Sequence, residues 1–148
     1  MHEERDLIDF AMKMKTDPND YSKVVFIVRG LPGSGKSALA KQLAEVVCEN
    51  DDVFTIGDRY QFEVSKMSLA IGTCKAKFMT AIDDGVKRIA VANTFAKEED
   101  AKFYIDVAKK YGYKVFQVIA QNINDTKNIH EVKNEVVENM RKKFEVTL

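Results

Sequence analysis

Val24-Val25-Phe26-Ile27-Val28, then Arg29, then Gly30-Leu31-Pro32-Gly33-Ser34-Gly35-Lys36-Ser37 decides the fold: an unbroken apolar run opens into a glycine-rich bend that ends in Lys-Ser. A run without polar alternation suits a β-strand buried on both faces. In the bend, glycines let successive backbone N–H groups turn inward on a polyanion, an approach that a Cβ would obstruct. Lys36 then reaches the β- and γ-phosphates and Ser37 offers its hydroxyl to Mg²⁺. The helix opening around Lys36 and Ala38 points its positive end at the same anion. Leu39, Leu43, Val46 and Val47 carry the apolar spacing onward and predict a helix over 38–47. Strand, phosphate loop and helix in this order predict a nucleoside triphosphate held by residues 30–38.

Bulk properties set the frame. The chain has 148 residues, 45% hydrophobic and 31% charged, the balance of one globular domain with a real core. No apolar run approaches the ~20 residues that a membrane-spanning helix requires. The N-terminal His2-Glu3-Glu4-Arg5-Asp6 resembles neither a secretory signal nor a transit peptide, so a cytoplasmic location is expected. With 23 basic and 23 acidic side chains there is no overall attraction for nucleic acid, and no membrane or protein partner is indicated. Cys48 and Cys74 fall in separate predicted helices without metal-ligand spacing, which suits buried small hydrophobes in a reducing compartment.

Along the chain, an amphipathic helix is expected over 3–15, so that 1–22 forms an N-terminal helix and linker before a nucleotide-binding domain over 23–148. Strands are expected at 53–56, 88–92 and 113–120, and helices at 64–81, 97–111 and 132–144. In the long helix, the stripe of Met67, Ala70, Ile71, Cys74, Phe78, Ala81 and Ile82 reads as core. Alternating strand and helix predicts an α/β fold: a mainly parallel sheet of four to five strands with helices on both faces.

Phosphoryl transfer needs an acid–base group beside the acceptor hydroxyl. Asp58 follows the strand expected at 53–56, on the side of a parallel sheet where ligands bind, and is the candidate. Arg59 beside it is the candidate for holding a substrate phosphate through its two-pronged guanidinium. His130 reads as a backbone-satisfied histidine at a helix start. Arg141-Lys142-Lys143, with Glu135, Glu138 and Glu145 nearby, reads as an exposed ion-paired face.

The ordered set GLPGSGKS, Asp58, Tyr60-Gln61-Phe62, Asn93-Thr94, Tyr111-Gly112-Tyr113-Lys114-Val115 and Asn128-Ile129-His130-Glu131-Val132 resembles one family. It is that of the P-loop kinases related to the 5′-kinase domain of phage polynucleotide kinase, with similar ATP-binding domains in larger eukaryotic proteins. The resemblance runs over about 23–145. It implies a three-layer P-loop kinase fold and transfer of the γ-phosphoryl group of ATP, with Mg²⁺, to a hydroxyl, most typically a polynucleotide 5′-OH. On this reading Asp58 takes the general-base position and Lys127 closes over the γ-phosphate. Where relatives usually end the third strand on an aspartate that organises water around the metal, this chain has Ala92. Lys127 stands where they tend to place a lid arginine, and Ile71 replaces a frequent histidine. Two alternatives follow: a kinase for a nucleoside, nucleotide or other small alcohol, or a nucleotide-binding interaction module with weakened chemistry.

Overall fold

The structure, a computed structural model, describes residues 18–57, 59–123 and 133–148. The helix expected over 3–15 lies outside these, as do Asp58, Lys127 and His130.

The opening run forms β1 (Val24–Arg29), in which Val25, Ile27 and Val28 are fully buried. It lies at the centre of a four-stranded sheet with β2 (Val46–Cys48), β5 (Arg88–Asn93) and β6 (Lys114–Ile119), in the order β2-β5-β1-β6. Every pairing is parallel, with Arg29 opposite Asn93 on one side and Ile119 on the other. A parallel sheet buries its inner strands twice over, and the side chains divide accordingly. Val28, Ala90 and Ala92 pack with Ala40 of α1 (Lys36–Leu43). Val25, Ile27, Ile89 and Val91 pack instead with Cys74 and Phe78 of α2 (Met67–Asp83) and with Tyr104 and Ala108 of α3 (Lys102–Lys110). Helices thus cover both faces, as the alternation of elements predicts. α4 (Asn134–Lys143) follows last. Gly85 and Gly112, at positive φ of 67° and 81°, turn the chain after α2 and α3. No helix among the described residues is long and apolar enough to cross a membrane.

Two expected elements fall elsewhere. The helix expected over 38–47 stops at Leu43, and Ala44 is already extended. Val46, Val47 and Cys48 form β2, paired with Ile89, Ala90 and Val91. The two β-branched valines fit a helical period as well as a strand, and the open edge of β5 decides for the strand. Cys48 is therefore on a strand, although it and Cys74 are both free and buried as expected.

The second strand of the sheet is consequently not at 53–56. Asn50–Phe54 make a 3₁₀ turn, rich in the Asn and Asp side chains that compete with regular ladders. A short antiparallel hairpin then pairs β3 (Thr55–Ile56) with β4 (Arg59–Tyr60), with Gly57 at φ 60°.

Candidate active site

The phosphate loop joins β1 to α1. Gly33 and Gly35 adopt φ of 80° and 85°, and Gly35 caps α1, so Lys36 is its first residue. A Cβ on Gly30 would come within 2.3 Å of Ser34 Oγ and 3.1 Å of the Ala120 carbonyl. The first-turn N–H groups of α1 have no partner within the helix. Ser34 Oγ and Asn50 Oδ1 are buried without a hydrogen-bond partner among the described residues. Orphaned polar atoms at a bend that ends in a helix N-terminus suit a phosphate chain.

Lys36 is only 8% exposed. Burial holds its ammonium below the ordinary 10.5, against the opposing pull of Asp51 and Glu49. Ser37, the next residue, donates its hydroxyl hydrogen to Glu49 Oε1. Burial raises the Glu49 carboxyl above its ordinary 4.5, with Asp52 and Asp51 adding to the effect and the Ser37 bond and Lys36 opposing it. A hydroxyl and a carboxylate held together beside a phosphate loop are hard oxygen donors of the kind Mg²⁺ prefers, so the residues fit that ion.

Residues 49–51 follow directly from β2, at the carboxyl edge of the sheet where parallel folds bind ligands. Buried Asn93, the last residue of β5, fixes them there: its Oδ1 accepts a hydrogen bond from the Asn50 N–H at 2.8 Å. Its Nδ2 lies 3.7 Å from Cys74 Sγ. The Asp51 carboxylate accepts a bond of 3.1 Å from the Tyr60 hydroxyl. Burial, helped by Asp51, pushes that phenol up to about 12.

Lys36, Asn50, Asp51, Tyr60 and Asn93 all line a cavity of about 720 Å³. Its remaining walls are largely apolar: Phe62 beyond the hairpin, Met67 and Ile71 of α2, Phe95, Tyr104 of α3, and Val136 and Met140 of α4. Met67 and Ile71 are therefore cavity wall rather than core, a correction to the stripe read from α2. The rest of that stripe, Ala70, Cys74, Phe78, Ala81 and Ile82, is buried as read. Arg59 stands exposed on β4, outside the residues lining the cavity. Asp58 lies outside the described residues; among these the acids whose charge acts on Lys36 are Asp51 and Glu49, neither of which was singled out from the sequence. The α4 basic cluster is exposed as read, with Arg141 Nε 3.3 Å from Glu138.

Arg29, immediately before the loop, is 1% exposed without a carboxylate partner among the described residues. Its Nε donates to the Phe95 carbonyl at 2.9 Å and its guanidinium to the Glu145 carbonyl at 2.6 Å. The guanidinium also lies 4.8 Å from the centre of the Phe144 ring. Phe95 is held at φ 44°, an unfavourable conformation for a phenylalanine, with its carbonyl turned to Arg29. The Glu145 N–H in turn donates to the Ala96 carbonyl at 2.7 Å. Arg29 thereby ties the start of the loop to the segment after α4, whose Val136 and Met140 wall the cavity.

No family model matches the chain. It is 35% identical over 97 residues to human NEDD4-binding protein 2, a match covering 62% of this chain and 6% of that much longer protein. Among solved structures it resembles a candidate kinase from Chloroflexus aurantiacus at 16% identity and a TM-score of 0.49, covering 67% of this chain and 59% of that one. It superimposes on a chain of the Pnkp1/Rnl/Hen1 complex with a TM-score of 0.54 at 12% identity, over 80% of this chain and 45% of that chain. At such identities the likeness is one of fold, and it accords with an α/β fold in which a parallel sheet, covered by helices on both faces, carries a phosphate loop after its central strand.

Proposed function

We propose that this chain transfers the γ-phosphoryl group of Mg²⁺-bound ATP to a hydroxyl, with a polynucleotide 5′-OH as the leading acceptor. The observation that carries the reading is the meeting of Lys36 and Asp51 in one cavity, at the end of a phosphate loop. The loop amides and Lys36 hold the triphosphate; Ser37 and Glu49 are the residues that would hold the metal. Bound there, Mg²⁺ neutralises charge on the β- and γ-phosphates.

Asp51 takes the general-base role in place of Asp58. As the acceptor oxygen bonds to the γ-phosphorus and the bond to the β-phosphate oxygen breaks, Asp51 accepts the hydroxyl proton and ADP leaves. The Tyr60 hydroxyl orients the carboxylate through its hydrogen bond. Lys127 is assigned the lid charge over the γ-phosphate, and Arg59, exposed on β4 outside the cavity lining, first contact with a substrate phosphate. The rings of Tyr60 and of exposed Phe62 in the walls suit stacking of a nucleobase.

A small alcohol is the second reading, favoured by the charges in the cavity. The lining holds two lysines, Lys36 and Lys75, against Asp51 and Asp100, a weak attraction for a polyanion. The two readings separate when γ-labelled ATP is offered with 5′-hydroxyl oligonucleotides in competition with nucleosides and nucleotides. Label in the oligonucleotide supports the first and label in a monomer the second. ATP binding without transfer to any acceptor leaves the chain an interaction module.

A further inference from the structure

We propose that Glu49 supplies the carboxylate of the Mg²⁺ site, an acid drawn from β2 because the neighbouring end of β5 carries none. The inference rests on the phosphate-loop reading above. Next to last in β5, one residue before Asn93, stands Ala92, buried against α1 and unable to bind a metal or its water. β2 pairs with β5 through Cys48 opposite Val91, and continuing that register by one residue sets Glu49 beside Ala92. Side chains alternate along a strand, so Glu49 shares the face of Val47, which packs on the α1 side of the sheet. Its longer side chain then crosses the strand spacing and meets Ser37 at the start of α1.

The polarity of that hydrogen bond matters. A hydroxyl has one hydrogen and two lone pairs, and Ser37 commits its hydrogen to Glu49 Oε1, leaving lone pairs for a cation. The second carboxylate oxygen of Glu49 takes no hydrogen bond among the described residues and is available to the ion or to one of its waters. Mg²⁺ characteristically combines one or two carboxylates with substrate phosphates and water. The other acids of the segment are engaged elsewhere: Asp51 with Tyr60, and Asp52 with Lys77 at 3.5 Å.

The test is calorimetric titration of the full chain with ATP, in EDTA and in excess Mg²⁺. Wild type is expected to bind ATP more tightly with Mg²⁺ by about ten- to a hundredfold. Glu49→Gln keeps an acceptor for Ser37 and removes the charge. It is expected to lose that tightening while binding ATP in EDTA at least as well as wild type. Glu49→Asp, with a carboxylate one methylene shorter, is expected to recover part of the effect.

Equal tightening in wild type and Glu49→Gln overturns the proposal, as does wild-type ATP binding indifferent to Mg²⁺; in both cases the phosphate-loop reading stands. No ATP binding by wild type in either condition overturns that reading and the proposal with it. If circular dichroism shows Glu49→Gln unfolded, Glu49→Asp decides: undiminished tightening overturns the proposal and a reduced value supports it.

Discussion

Replacing Arg29 with methionine removes the group that ties the phosphate loop to the segment after α4. The guanidinium makes two short hydrogen bonds to carbonyls, at 2.9 Å to Phe95 and 2.6 Å to Glu145, and two longer ones of 3.4 Å to Gln117 and Ala96. Each short bond from a charged donor contributes about 1.5–3 kcal/mol, so the pair contributes about 3–6 kcal/mol. The contact with Phe144 adds ~1 kcal/mol. Relief from keeping a charge 1% exposed returns several kcal/mol, on the order of half that sum. A net destabilisation of roughly 2–4 kcal/mol follows for Arg29→Met. Urea unfolding measures it as a lower midpoint. Hydrogen exchange should also show faster exchange at the Glu145 and Glu98 amides, whose partners are the Ala96 carbonyl and the Glu145 carboxylate. Arg29→Lys keeps the charge without the fork and should recover little. A variant within about 0.5 kcal/mol of wild type, the scatter of a neutral surface change, with unaltered protection at Glu145, would refute the reasoning.

Lys36→Met should weaken ATP binding yet stabilise the ligand-free fold. Burial lowers the folded-state pKa of Lys36, so its charge costs stability at neutral pH. That cost shrinks as pH rises through the folded value toward the ordinary 10.5; the thermal gain of the variant should therefore be present at pH 7 and decline toward pH 10. Gly30→Ala pushes a methyl toward Ser34 and the Ala120 carbonyl and should cost about 1–3 kcal/mol in unfolding experiments, with loss of nucleotide binding. Burial pushes the Cys48 thiol up to about 12 and raises that of Cys74, so neither should react with a thiol reagent at pH 8 before the protein unfolds. Labelling faster than unfolding would contradict the packing described here.

The loop and its central strand were legible because their chemistry is local: glycines at positive φ and a lysine-serine pair at a helix start are fixed by a few consecutive residues. β5, β6, α2 and α3 were legible from their period and punctuation. β2 was not, because Val46 and Val47 fit the apolar spacing of the preceding helix and only the edge of β5 turns them into a strand. That shift of the strand also changes which acids stand at its end. Once the strand moved to Val46–Cys48, the residues at its end became Glu49, Asn50 and Asp51. A stronger signal was present in the Asn50-Asp51-Asp52 run, which ends regular structure by competing for backbone hydrogen bonds. The roles of Asn93 and Arg29 were hidden for another reason: each acts across more than 40 residues of sequence, through bonds to Asn50 and to Phe95 and Glu145.

Whether Asp51 moves the acceptor proton beside a triphosphate held by the loop is open to direct measurement. Transfer of label from γ-labelled ATP to a hydroxyl acceptor should be compared in wild type, Asp51→Asn and Asp58→Asn, with ATP affinity measured alongside. The expected result is transfer by wild type and by Asp58→Asn, and a loss of about 10²–10⁴-fold in Asp51→Asn with ATP binding retained. Undiminished transfer in Asp51→Asn, or its selective loss in Asp58→Asn, would contradict the account.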